Sequence, residues 1–127
     1  MVNLSDGEWK IMNRLWESRG STITELTVDL QHETGWDKHI IITMLNRMEK
    51  KGAIAYIKEG RAKVFYPIVS RSEVSMQETW GFLKKVYRGS LGMMVNAMVE
   101  DKALSGEEIQ ELYDILERAK DKKHEGE

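Results

Sequence analysis

WDKHIIITMLNRMEKKGAIAYIKEGRAKVFYP, residues 36–67, reads as one amphipathic helix followed by two short strands. Asp37 has the side chain of a helix N-cap, and Lys50, Lys51 and Gly52 close the far end, where cations and a positive-φ residue belong. Ile41, Met44, Leu45 and Met48 recur at i, i+3, i+4 and i+7, a single stripe for a core. The opposite face carries His39, Thr43, Asn46 and Arg47, flanked by Ile40 and Ile42. Beyond Gly52, the short apolar runs 53–58 and 62–68 read as two strands around Glu59-Gly60-Arg61, a turn with glycine inside it. A helix followed by a basic-tipped hairpin is the layout of a winged helix, whose helix suits a DNA major groove and whose hairpin lies along phosphates.

Upstream, two shorter helices are predicted over 5–18 and 23–33. The first would bury Trp9, Met12 and Trp16, with Ile11 and Leu15 widening the stripe, and Arg19-Gly20 would end it. The second would turn Ile23, Leu26 and Leu30 inward and stop at Gly35. Their starts share a capping box, Ser5 with Glu8 and Thr22 with Glu25, and the pattern returns downstream as Ser70 with Glu73 and Ser105 with Glu108. Tyr56, Val64 and Phe65 are expected to pack the hairpin on these helices, with Pro67 ending the sheet.

Downstream, helices are predicted over 71–89, 91–100 and 106–119. Their apolar positions include Trp80, Leu83 and Tyr87, then Leu91, Met94, Val95 and Met98, then Ile109, Leu112, Tyr113 and Leu116. Met76, Phe82 and Val86 add to the first stripe. Each such side chain contributes roughly 1.5–3 kcal/mol when buried, and three short helices with no sheet to cover them cannot bury every stripe in one chain. A patch of that size is uncommon on soluble monomers. The economical solution is an isologous homodimer; the competing reading packs the stripes on the winged-helix domain alone. The expected fold is therefore mainly α with a small β-hairpin wing: a winged helix-turn-helix DNA-binding domain over 1–69, a three-helix dimerisation domain over 70–120, and a charged, disordered tail over 121–127.

Composition removes several function classes. The 127 residues contain no cysteine, which excludes disulfide frameworks, zinc ribbons and thiol catalysis. The N-terminus does not read as a signal peptide, and no apolar run approaches the roughly 18 residues of a membrane span, so a cytoplasmic location is expected. The net charge of −2 hides an uneven distribution. Residues 38–63 hold seven Lys and Arg (38, 47, 50, 51, 58, 61 and 63) against Glu49 and Glu59, a balance of +5, whereas 71–127 hold nine against twelve acids, a balance of −3. A locally basic segment on a mildly acidic chain suits a duplex DNA binder; a solvated charged face is the plainer reading.

The candidate DNA-contacting residues are Lys38, His39, Ile40, Ile42, Thr43, Asn46 and Arg47 on the helix, and Lys58, Arg61 and Lys63 on the wing. Three cations at a hairpin tip have little packing reason and are read as phosphate contacts. His32, His39 and His124 have no metal-ligand spacing, the four tryptophans read as core or interface, and no nucleophile set or paired carboxylate suggests an enzyme. No cofactor is expected. The rival to DNA binding is a winged-helix protein-interaction module that uses Ile40 and Ile42 as exposed apolar anchors.

With these residues laid out, the chain resembles the penicillinase-repressor family, the BlaI/MecI type of bacterial transcriptional repressor, over nearly its whole length. The matching phrases are Leu4-Ser5-Asp6-Gly7-Glu8-Trp9-Lys10-Ile11-Met12, Leu45-Asn46-Arg47-Met48-Glu49-Lys50-Lys51-Gly52, Gly60-Arg61 to Phe65-Tyr66-Pro67, Gly89-Ser90-Leu91, and Glu100-Asp101-Lys102-Ala103-Leu104-Ser105 to Leu116. The resemblance implies a homodimer that blocks transcription from dyad-symmetric operators, possible targets being genes of the β-lactamase and penicillin-resistance type. Family recognition helices carry Lys-Thr-Val-Arg-Thr where this chain has His39-Ile40-Ile41-Ile42-Thr43. Isoleucine in place of arginine at Ile42 exchanges a bidentate donor for an apolar contact suited to a thymine methyl, which implies a different operator. The resemblance further implies release through a membrane sensor protease pathway, the aligned bond lying near Ala97 and Met98 where β-lactam-responsive members carry Asn-Phe. The cysteine cluster of the copper-responsive branch is absent.

Overall fold

The computed structural model describes residues 2–125. In chain order the elements are α1 (Asp6–Ser18), α2 (Ile23–Thr34), α3 (Lys38–Lys50), β1 (Ile54–Glu59), β2 (Ala62–Pro67), α4 (Arg71–Tyr87), α5 (Leu91–Glu100) and α6 (Gly106–Glu125). They divide into two compact units, Met1–Thr79 and Trp80–Glu127. The division falls inside α4, ten residues later than the expected boundary between 69 and 70.

The predicted caps set the helix starts. Ser5 and Glu8, and Thr22 and Glu25, form reciprocal capping boxes, and Asp37 accepts from the Ile40 N–H at 3.0 Å. Ser105 and Glu108 form the box at α6. At α4, Ser70 accepts from the Glu73 N–H at 3.1 Å. Stops follow as read: Arg19 (φ 66), Gly35 (φ 66) and Gly52 (φ 81) take left-handed conformations after α1, α2 and α3.

The core of the first unit is formed by Ile11, Met12 and Leu15 of α1, Leu26 and Leu30 of α2, and Ile41, Leu45 and Met48 of α3, with Ile54, Phe65 and Val74 closing it. The α1 stripe is rotated from its expected position: Trp9 and Trp16 are half-buried at its edge, and Ile11 and Leu15 take the centre. Their indole N–H groups explain this, since full burial would strand a donor. Trp16 Nε1 donates to the Val69 carbonyl at 2.9 Å and Trp9 Nε1 to Glu78 at 3.4 Å. Arg71 bonds Asn13 at 3.0 Å and lies 5.0 Å over the Trp16 ring. These contacts attach the first turns of α4 to α1 and account for the later boundary.

The hairpin pairs Ile54 with Pro67 through Glu59 with Ala62, antiparallel. Gly60 alone has positive φ (63°) in its two-residue turn, the arrangement of a II′ hairpin. Ser21 adds an unforeseen bridge: its N–H and C=O exchange 2.9 Å bonds with Phe65, tying the α1–α2 link to the wing.

The second unit closes no comparable core. Leu83 is buried at 1 %, but Trp80, Phe82, Val86, Leu91, Met93, Val99, Tyr113 and Leu116 are each about half or more exposed. Among the described elements, no two of α4, α5 and α6 pack closely along their lengths. Helix α6 continues to Glu125, so residues 121–125, expected as disordered tail, are helical here. Residues 126 and 127 of that expected tail lie outside the described residues. No described helix is long and apolar enough to cross a membrane.

Candidate nucleic-acid interface

Helix α3 is placed by its buried stripe and its two ends. Ile41, Leu45 and Met48 anchor one side at 1 % exposure or less. Gly7 of α1 permits the close approach, since a Cβ there would meet Met44 Cε at 2.8 Å and Trp36 Cη2 at 3.2 Å. At the C-terminal end the N–H groups of Lys51, Gly52 and Ala53 occupy the carbonyls of Arg47, Glu49 and Met48, turning the chain into β1.

What remains outward is the face expected from sequence. Lys38, His39, Ile40, Thr43, Asn46 and Arg47 are exposed, and Ile42 is half-buried. A shallow groove of about 280 Å³ is lined by Asp37, His39, Ile40, Thr43, Met44 and Arg47. Thr43 is exposed and donates its hydroxyl proton to the His39 carbonyl at 2.9 Å. Ile40, 41 % exposed, is the largest apolar surface on this face, whereas Ile42 turns partly inward.

Lys38 sits elsewhere, in a second groove of about 320 Å³ formed with Thr22, Ile23 and Thr24 at the start of α2 and Arg61, Ala62 and Lys63 at the wing. Three cations thus line one concavity at a helix N-terminus, a combination that favours an anion. The sheet register sharpens the point. Lys58 lies directly opposite Lys63, a like-charge pair that opposes hairpin formation. Lys63 is steadied over the Tyr56 ring at 4.3 Å, but Lys58 and Arg61 have no ion-pair partner among the described residues. Folding does not call for this arrangement, whose charge would suit a polyanion.

The basic segment is not uniformly available. Lys51 donates to the Asn3 carbonyl at 2.8 Å and to Glu8 Oε1, and Arg47 Nε stands 3.9 Å from Glu8 Oε2. Glu8, read from sequence only as a capping residue, is therefore an ionic partner of α3 from 39 and 43 positions away. Its burial pushes its pKa up, but the Lys51 ammonium and the Ser5 N–H and hydroxyl outweigh this and hold it below the ordinary glutamate value. The sequence held one signal for it, the apolar neighbours Leu4 and Ile11 that put residue 8 near the core stripe.

Of the expected interface residues on the second unit, Trp80, Leu91, Met98, Ile109, Tyr113 and Leu116 are exposed and Tyr87, Met94, Val95 and Leu112 half-buried. Leu83 departs from that expectation: at 1 % exposure it is interior to its own chain and presents no surface to a partner. Ala97 and Met98 lie within α5, near its end.

The chain is similar to the penicillinase repressor of Bacillus licheniformis, with 38 % identity over 96 % of this chain and 95 % of that one. It is 30 % identical to the methicillin resistance regulatory protein MecI of Staphylococcus aureus (strain N315), over 91 % of this chain and 94 % of that one. Among solved structures, Bacillus licheniformis BlaI in its monomeric form, in complex with the blaP half-operator, superposes with a TM-score of 0.50 at 34 % identity, over 56 % of this chain and 87 % of that one. The family description penicillinase repressor matches residues 4–118, and the chain is a member of that family.

Proposed function

We propose that this chain is a homodimeric, sequence-specific transcriptional repressor that binds dyad-symmetric operator DNA. The observation that carries the reading is the adjacency of two surfaces on the first unit: the exposed face of α3, and the groove where Lys38, Arg61 and Lys63 converge. A helix of 13 residues is about 20 Å long, and its side-chain-clad width of about 10–12 Å matches the major groove. His39, Ile40 and Thr43, in its N-terminal half, would meet base edges while the wing cations follow the phosphates. The relatives, a penicillinase repressor and a methicillin resistance regulator, favour operators of β-lactam-resistance genes. Pairing of two copies through the exposed stripes of α4 to α6 supports half-sites about one turn, or 10 bp, apart. Release by a sensor protease pathway acting near Ala97 and Met98 belongs to the same reading and rests on family membership alone.

Binding-site selection from genomic fragments, combined with sedimentation at micromolar concentration, tests it. An enriched dyad motif and a two-chain species are expected. Selection without any motif would favour a protein-interaction module built on Ile40, and single chains throughout would remove the dimer.

A further inference from the structure

Capping boxes need no buried carboxylate: Glu25 and Glu108 complete theirs while exposed. Glu8 does the same work with a side chain only 1 % exposed. Its Oε1 is accounted for, accepting from the Ser5 N–H at 2.8 Å and from Lys51. Its Oε2 is buried and accepts no hydrogen bond from any described residue. Besides Lys51, the only cation within 4 Å of Glu8 among the described residues is Arg47, whose Nε stands 3.9 Å from Oε2. That is beyond hydrogen-bond length but within reach of a small rotation.

Arg47 lies in the last turn of α3, lines the recognition groove and is 55 % exposed. Its guanidinium is a rigid planar fork, so an Nε facing Glu8 leaves the outer Nη edge facing away from it. Base edges are met by the N-terminal residues of a recognition helix, which leaves the last turn to the DNA backbone.

We infer that Glu8 is a positioning residue for DNA binding: its free oxygen receives Arg47 Nε as the Nη edge of the same guanidinium engages an operator phosphate. The buried carboxylate on α1 fixes the fork before contact, as outer-shell partners fix metal ligands and catalytic groups, and contact with the phosphate closes the 3.9 Å gap. This rests on the DNA-binding reading of α3. It also has an unusual sign. Coulomb's law alone predicts that deleting a carboxylate near a polyanion tightens binding, whereas loss of a positioned arginine weakens it.

The test is a double-mutant cycle in the full chain on an operator duplex recovered by selection, with affinity measured across salt. Glu8→Gln keeps an acceptor for the Ser5 N–H and removes the charge. It is expected to weaken binding about five- to tenfold, within the range for residues of one network, and to lower the salt slope by about one per half-site. Arg47→Ala is expected to do the same, and the double variant to be no worse than Arg47→Ala. Arg47→Lys, which keeps the charge but lacks the fork, should behave as Arg47→Ala. Unchanged or tighter binding by Glu8→Gln, an equal loss in the Arg47→Ala background, or wild-type affinity and slope for Arg47→Lys would each overturn the inference. Should Glu8→Gln fail to fold by circular dichroism, Glu8→Asp takes its place in the cycle: it keeps the charge but withdraws the carboxylate from Arg47, and it should show the same loss, absent in the Arg47→Ala background. A wild-type chain that selects no duplex sinks the DNA-binding reading itself; a wild-type chain that binds, with additive variants, sinks only the role of Glu8.

Discussion

Replacing Arg61 by alanine should change how binding responds to salt far more than it changes the protein. Arg61 occupies the second position of the hairpin turn, is exposed, and has no ion pair among the described residues. Its loss therefore costs the fold little, within about 0.5 kcal/mol for such a surface site. On DNA, one phosphate contact contributes about 0.9 to the slope of log affinity against log salt, because its counterion is released. Two wings on a dyad operator would double this to about 1.8. Between 50 and 200 mM salt, a fourfold change, the wild type should then lose about twelvefold more affinity than the variant. Fluorescence anisotropy on one labelled operator across four salt concentrations, with a thermal melt as control, reads this directly. The variant should be weakest relative to wild type at low salt, and the two should converge at high salt, on selected and scrambled duplexes alike. Parallel salt lines would show that Arg61 touches no phosphate, and a loss confined to the selected sequence would place it on a base.

Three further outcomes follow from individual contacts. Because the Thr43 hydroxyl is spent on the His39 carbonyl, Thr43→Val should leave the selected motif unchanged while Thr43→Ala shifts it at one position, through loss of a methyl against a thymine; the reverse pattern in binding-site selection would mean the hydroxyl reads a base. Leu116→Asp places a charge among side chains 63 % exposed in the single chain and should convert two-chain species to single chains in sedimentation without lowering the melting temperature of the first unit; an unaltered dimer would put the interface elsewhere. Glu8 has a folded pKa below its unfolded value near 4.3, so its stabilisation is complete above that value and is lost as pH falls through the folded one. The gap in melting temperature between wild type and Glu8→Gln should therefore narrow below about pH 4.3, and a gap constant down to pH 2 would contradict the assignment.

What could be read from the sequence was what neighbouring residues decide among themselves. A cap forms between positions three apart, a stripe recurs within one or two turns, and a turn needs its glycine, so Ser5, Thr22, Asp37, Gly52 and Gly60 marked element ends to within a residue or two. The outward face of α3 followed from the same periodicity. Distance along the chain hid the rest. The Ser21 bridge to Phe65 spans 44 residues and joins a link to a strand, leaving no periodic trace. Glu8 and Lys51 are 43 apart, and each has a local role, at a helix start and a helix end, that gives no sign of the other. The +5 balance of residues 38–63 therefore overstates the free charge, because Lys51 is committed to Glu8 and the Asn3 carbonyl. Trp9 and Trp16 look like core by hydrophobicity, but their N–H groups need acceptors and hold them at the rim.

The two units also differ in whether they satisfy themselves, and the proposed mechanism depends on that difference. The first packs three helices and a hairpin on one continuous core, with side chains of α1, α2 and α3 at 1 % exposure or less. Its core is closed within the unit, which can therefore tolerate the opposed Lys58 and Lys63 on its surface and the orphaned oxygen of Glu8 in its interior, features that lower stability and that the proposed DNA complex would offset. The second leaves Trp80, Leu91, Tyr113 and Leu116 in water, a state that hydrophobic burial opposes and that a second copy would relieve. A single head offers DNA one short helix and one wing, a small interface with large salt sensitivity. Joining two heads makes the second contact intramolecular, and effective concentrations in the millimolar range raise avidity by about 10²–10⁴ without any new contact. Specificity then resides in the pairing as much as in the groove, and disrupting the second unit should abolish operator selection even though every side chain on α3 is unchanged.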